Sequence, residues 1–331
     1  MVCRRRWRLL AVTLVAMTPA LVLGAGAVAP SVATAVENLK TKTGRESVQA
    51  REDLLGLRPT SPVDLDQYAT DLDGKLRANL SNPSNGDARL NTAILFAQLN
   101  TLAMDKALME ALASKDPSVR YWGAKGLGGA AISSKLKQVG SGPVVAALDK
   151  AAKAEGTSVV QLQILHGLVV YENLDGVLDS LDGLANWMQM DVPDKAGLDE
   201  IAAALNWAQS KGISSATAPQ KERAANLAAR LASFAAQQAV AYKASYGAIP
   251  TAYQKSFNDV INAGVDVIGG AKGSAVSRLD TSSPEMALIS ANALLGSDGR
   301  PGELQKTMPK VAVPARVGAA ATSTAPATTT H

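Results

Sequence analysis

The feature that most constrains the fold is the stretch of residues 116–128, which predicts an amphipathic helix with two glycines on its apolar face. Asp116 suits the N-cap, and Pro117 suits the first turn because its missing N–H has no partner there in any case. The apolar face follows at positions i, i+3, i+4, i+7 and i+8 and consists of Val119, Trp122, Gly123, Gly126 and Leu127. Since glycine has no side chain, a neighbouring helix is expected to approach this face closely, and the expected partner is the following helix at residues 144–153.

This stretch resembles the first helix of a HEAT repeat, in which Asp-Pro is followed by Val-Arg, then by small residues and a leucine. Part of the pattern returns 41 residues later, which lies within the ~40 to 47 residue spacing of HEAT and armadillo units. The later residues are Val160, Gln161, Leu165, Gly167 and Leu168, which match Val119, Arg120, Ala124, Gly126 and Leu127. The resemblance covers residues 87–190 and implies stacked helix pairs; it brings no catalytic chemistry with it.

The composition favours helices throughout the chain. Aromatic residues make up 4% of the sequence and alanine is frequent, which suits close-packed helices better than a β-sandwich. We therefore predict an all-α chain built as a HEAT-like helical repeat, or α-solenoid, with an irregular helical bundle as the alternative. The expected regions are a signal peptide at 1–35, an N-terminal helical cap at 36–86, HEAT-like repeats at 87–190, further long helices packing on the array at 191–296 and a disordered Ala/Thr/Pro-rich tail at 297–331.

The N-terminus has the three-part order of a secretory signal peptide. Four arginines precede an uncharged run at residues 9–23, and small residues follow at Ala25-Gly26-Ala27 and Ala33-Thr34-Ala35. The run is shorter than the ~20 residues of a membrane-spanning helix, so an uncleaved anchor is the alternative. The prediction is an exported protein of the periplasm or the extracellular space, with no membrane span after leader cleavage.

Leader removal changes both the charge and the cysteine content. Taking the four leader arginines from the 33 basic residues leaves 29, equal to the 29 acidic residues, so nucleic acid is not a predicted partner. The single cysteine, Cys3, also leaves with the leader. His166 is then the one histidine before the C-terminal residue, and we expect it in the core or in an interhelical hydrogen bond. No cofactor and no transition-metal site is predicted.

Two further patterns have a structural and a functional interpretation. Asp175, Asp179 and Asp182 recur at i, i+4 and i+7; the expected role is a solvated helix face, and calcium binding is the alternative. Glycine-rich segments at residues 126–129 and 269–274 do not follow a predicted strand, so they are expected to be helix termini and not phosphate loops.

The remaining candidates form a partner-binding surface. Arg120, Tyr121 and Lys125 lie off the apolar face of the helix at 116–128, and Trp187 or Trp207 would extend the surface unless they pack between helices. The predicted function is an exported helical-repeat scaffold or protein-binding module of the cell envelope, without catalysis and with protein partners. The alternatives are a carboxylate-dependent hydrolase or carbohydrate-processing enzyme, and a structural envelope protein tethered by its leader.

Overall fold

The computed structural model describes residues 31–317, and these form fifteen α-helices joined by short loops and by 3-10 or π-helical turns. The helices are α1 (Val32–Thr41), α2 (Gly44–Gly56), α3 (Pro62–Leu76), α4 (Gly86–Leu99), α5 (Asp105–Leu112), α6 (Pro117–Leu127), α7 (Ala130–Val139), α8 (Gly142–Ala154), α9 (Ser158–Val170), α10 (Leu174–Met190), α11 (Lys195–Trp207), α12 (Ala218–Tyr246), α13 (Thr251–Lys272), α14 (Pro284–Leu295) and α15 (Glu303–Thr307). No strand occurs within residues 31–317, so the prediction of an all-α chain is confirmed. None of these helices combines the length and apolarity that crossing a bilayer requires.

The helices pack in two layers. The first layer contains α2, α4, α6, α9, α11 and α13, and each helix packs against the next in this order. The second layer contains α1, α3, α5, α8, α10, α12 and α14, with α3 contacting the 3-10 turn Leu102–Met104 that leads into α5. Between the layers, helices consecutive in the chain pack against each other, most extensively in the pairs α1/α2, α5/α6, α9/α10 and α12/α13. One continuous hydrophobic core runs through all of these helices.

Within the first layer, the neighbours α6 and α9 run in the same direction. At the N-terminal ends of α6 and α9, Arg120 bonds to Glu155, which lies just before α9; at their C-terminal ends, the Tyr171 hydroxyl donates to the Leu127 carbonyl at 2.7 Å. Between the layers the direction reverses: in α12/α13 an aromatic contact joins Tyr242 to Tyr253 near the connecting loop. The direction also reverses within the second layer between α12 and α14, since Lys243 near the end of α12 pairs with Glu285 at the start of α14.

The pairing of α6 differs from the sequence-based expectation. Its partner was predicted to be the following helix at residues 144–153, but α6 packs most extensively against α5, which precedes it. A Cβ atom built on Gly123 would lie 2.4 Å from the Leu112 backbone nitrogen, so glycine is what allows the two backbones to approach this closely. The expected close approach at this face is confirmed, with a different helix. Helix α7, which the sequence did not predict, separates α6 from α8 along the chain.

The C-terminal end of the described chain packs against α12. Residues 297–317, predicted to be disordered, are ordered: Leu304 and Val311 are 2% exposed, and the Asn226 side chain of α12 accepts a hydrogen bond from the Ala312 N–H at 2.7 Å. The few apolar residues of this segment are buried against other helices. The composition of the segment alone does not reveal these contacts. The remaining tail residues 318–331, and the predicted signal peptide up to residue 30, lie outside the described part.

Candidate partner-binding surface

Arg120 is held in an ion pair that links two interhelical loops. Its guanidinium donates to both carboxylate oxygens of Glu155, at 2.6 and 2.8 Å, and to the carbonyls of Ser114 and Lys115. The Glu155 side chain is 2% exposed. A bidentate pair of this kind fixes geometry as well as charge. Asp116 lies one helical turn from Arg120, but the loop after α8 supplies the carboxylate that Arg120 binds.

The electrostatics of this pair favour its charged form. Burial by itself would raise the pKa of Glu155, but the hydrogen bonds from Arg120 and from the Thr157 N–H outweigh it, and the pKa is lowered. The hydrogen bond to Glu155 in turn raises the pKa of Arg120. Arg120 lines a cavity between α5 and α8, whereas Lys125 lines a different one. Arg120 therefore stabilises the structure, and we omit it from the candidate surface.

Tyr121 and Lys125 form a compact cluster with Trp122. The two rings meet edge to face with centroids 5.5 Å apart, and the Lys125 ammonium lies 4.6 Å from the Trp122 ring centroid and 5.6 Å from that of Tyr121. Both rings are partly exposed and Lys125 is exposed, whereas the other four residues of the predicted apolar face are buried. A cation held over aromatic rings at the surface is a common component of binding sites.

Next to this cluster lies a cavity of about 590 Å³, which we call the α7 cleft. Helices α6, α7, α9 and α11 contribute its lining, and its charged or titratable members are Lys125, Lys137, His166 and Glu200. A Cβ atom built on Gly128 would lie 3.3 Å from the His166 ring, so the end of α6 lies directly against α9 here. The fold thus gathers into one cleft residues that are separated by up to 75 positions in the sequence.

His166 is on the surface, so the expectation that it lies in the core is wrong. Its Nδ1 is 3.8 Å from a carboxylate oxygen of Glu200 on α11, and its side chain is 49% exposed. The Glu200 carboxylate raises the pKa of His166, and this effect exceeds the lowering that partial burial causes. The expected contact between helices is present, since His166 of α9 pairs with Glu200 of α11. The sequence did not predict three residues of the cleft, Lys137, Gln163 and Glu200. No local pattern distinguishes them from ordinary surface residues.

The aspartate stripe of α10 is an interhelical contact surface. Gln220 donates to Asp175 at 2.9 Å, Arg223 pairs with Asp179, and Arg230 donates to Asp182 at 2.5 Å; all three partners lie on α12. The expectation of a solvated face holds only in part, since Asp175 is exposed whereas the Asp179 side chain is 13% exposed. No cluster of three or more metal-ligating side chains is found within residues 31–317.

The tryptophans and the glycine-rich segments have structural roles. Trp187 and Trp207 are partly buried and pack against the core, with Trp187 close to Gly197 of α11 and Trp207 close to the π-helical turn Ala208–Gly212. The two glycine-rich segments end α6 and α13, as predicted. Neither tryptophan extends the candidate surface around Tyr121.

Acidic residues also line a cavity between α11 and α13, where the alternative of a carboxylate-dependent enzyme can be compared with the geometry. There Asp199 pairs with Lys195, Asp259 with Lys255, and Asp266 with Arg278. Burial tends to raise the pKa of Asp199, but hydrogen bonds from Lys195 and Ser256 lower it overall. A general acid needs a pKa shifted upward. These carboxylates give the enzymatic alternative no support.

Comparison with known proteins adds no further constraint. No family model, no curated protein and no solved structure matches this chain. The function must therefore be inferred from the fold and from the surface around Lys125.

Proposed function

We propose that this chain is an exported α-solenoid of HEAT-like repeats that binds a protein partner at the cell envelope and acts as a scaffold without catalysis. The solenoid part of the proposal is supported by the packing of the helices in two layers, in which α6 and α9 lie side by side in the same direction. It is also supported by the 41-residue repetition, because matched positions have matched environments. Val119 and Val160 are fully buried, as are Leu127 and Leu168. Such arrays present extended surfaces to their partners.

The observation that supports partner binding is the Tyr121, Trp122 and Lys125 cluster beside the α7 cleft. Aromatic residues at a partly exposed position with a cation above them resemble the residues that dominate the energetics of protein interfaces. The cluster is rigid, because Trp122 and Lys125 lie on the same side of α6, whose other faces pack on α4, α5 and α9. A pre-organised surface loses little conformational entropy on binding.

Export is supported by the sequence of residues 1–30, whose arginines, apolar run and small residues match a leader. The mature chain would then meet its partner outside the cytoplasm. An uncleaved leader would instead tether the same surface to the membrane, which the mass of the exported protein distinguishes.

The test is chemical crosslinking of the full chain in the producing cells, followed by mass spectrometry of what is attached. We expect a small set of proteins whose recovery falls at least fivefold in Tyr121→Ala and Lys125→Ala. The matched controls are Tyr246→Ala, which removes a tyrosine that is 72% exposed on α12, and Lys75→Ala on α3. Equal loss in the controls, or no enrichment over a strain without the protein, would refute the proposal.

A further inference from the structure

The α7 cleft contains an excess of positive charge that no other residue within 31–317 neutralises. Lys125 and Lys137 have no carboxylate partner within residues 31–317, whereas nearby Lys135 is paired with Asp66 at 2.9 Å. The one acidic residue that lines the cleft, Glu200, is paired with His166. Because the mature chain is formally neutral, this positive charge is a local property of the cleft.

Backbone donors add to the positive potential. Helix α7 begins at the cleft with Gly129 at its N-cap, so no side chain of the cap residue accepts a hydrogen bond from the first turn. Asn100 accepts the Ile132 N–H at 3.4 Å, but the N–H groups of Ala130 and Ala131 have no acceptor among the described residues. The free N–H groups at a helix start carry partial positive charge. Ala130 lines the cleft together with the two lysines.

We infer that the α7 cleft binds a carboxylate-rich segment of the protein partner, an inference that rests on the proposed function. The two lysines supply charge-assisted hydrogen bonds to carboxylates, and the N–H groups of α7 supply two further donors. A volume of about 590 Å³ exceeds what one small anion fills and suits several side chains of a peptide. Tyr121 and Trp122, one turn before Lys125, offer an apolar contact that a peptide uses and an inorganic anion does not.

The test is a fluorescence-anisotropy titration of fluorescein-labelled hexaglutamate with the full-length mature protein. Lys125→Gln and Lys137→Gln each remove one cleft charge, and Lys75→Gln removes one exposed, unpaired charge from α3 as the matched control. We expect saturable binding that weakens at least fivefold in each cleft variant and less than twofold in the control. Circular dichroism of each variant establishes that the fold is retained. Salt should weaken binding, because the contacts are ionic.

Three results would overturn the inference. The first is the absence of saturable binding, and the second is an equal loss of affinity in the Lys75 variant. The third is competition by inorganic phosphate at a concentration similar to that of the peptide, which would indicate a site for small anions only. If crosslinking depends on Tyr121 while hexaglutamate fails to bind, the inference fails and the proposed function stands. If neither depends on the cleft, both fail.

Discussion

Replacing Gly123 by alanine tests the closest helix contact in the fold. The new Cβ would lie 2.4 Å from the Leu112 nitrogen and 2.9 Å from the Leu108 carbonyl oxygen, both backbone atoms of α5. A side chain can rotate away from such a contact, but a helix backbone can only move as a whole. We therefore expect α5 and α6 to separate along much of their length.

The magnitude follows from two opposing effects. Overpacking of a tight interface costs about 1–3 kcal/mol, and a clash with backbone belongs at the upper end. Alanine is favoured over glycine within a helix by about 1 kcal/mol. The net expectation for Gly123→Ala is a loss of about 2 kcal/mol in the free energy of unfolding. Gly74→Ala on α3 is the matched control, since a Cβ there meets nothing within 4 Å and only the helix preference remains.

The assay is urea unfolding of both variants, followed by circular dichroism at 222 nm. Gly74→Ala should be more stable than the wild type by up to about 1 kcal/mol, so the two alanine substitutions shift the midpoint in opposite directions. Wild-type stability or better for Gly123→Ala would refute the argument, because it would mean that the α5/α6 interface can accommodate a methyl group.

Three further predictions concern an ion pair and the two ends of the chain. Glu155→Gln should cost about 3 kcal/mol at pH 7 in urea unfolding, because Arg120 loses its buried partner. Folding lowers the pKa of Glu155, so the carboxylate stabilises the folded state above its usual pKa of 4.5, and this stabilisation is lost as the pH falls below that value. The difference in unfolding free energy between the wild type and Glu155→Gln should therefore shrink in acid. Removing the chain from α15 onward should lower the free energy of unfolding by about 3 kcal/mol, because the buried side chains of Leu304 and Val311 are lost. A melting curve equal to that of the full chain would contradict this. Mass spectrometry of the exported protein should place cleavage after Ala27; cleavage after Ala35 would remove the first turn of α1, whose Ala35 is fully buried.

Much of the local structure could be predicted from the sequence because its causes are local. Asp116 accepts a hydrogen bond from the Ser118 N–H at 2.9 Å, and Thr217 forms a capping box with Gln220 at the start of the longest helix. These arrangements depend on residues within one turn of each other. The burial of Gly123 and Gly126 was also predictable, since helical period and residue size determine it.

The candidate surface was predictable only in part. Tyr121 and Lys125 are where the helical period places them, off the buried face, and their contact with each other follows from their i, i+4 spacing. The partner of Arg120 was not predictable, because Asp116 is the carboxylate that lies one helical turn away and only the packing of the loop after α8 brings Glu155 to Arg120. Helix α7 was not predicted either, since it buries only two large apolar side chains, Ile132 and Leu136.

The sequence by itself determined the all-α class, most helix starts and the buried face of α6, because propensity, caps and the 3.6-residue period operate over a few residues. The tertiary structure alone decided which surfaces meet. It places the aspartate stripe of α10 in contact with α12 and His166 at the surface beside Glu200. It also assembles the α7 cleft from four helices. These outcomes depend on contacts between residues some 30 to 75 positions apart, whose geometry is set by the packing of the two layers and not by any local pattern.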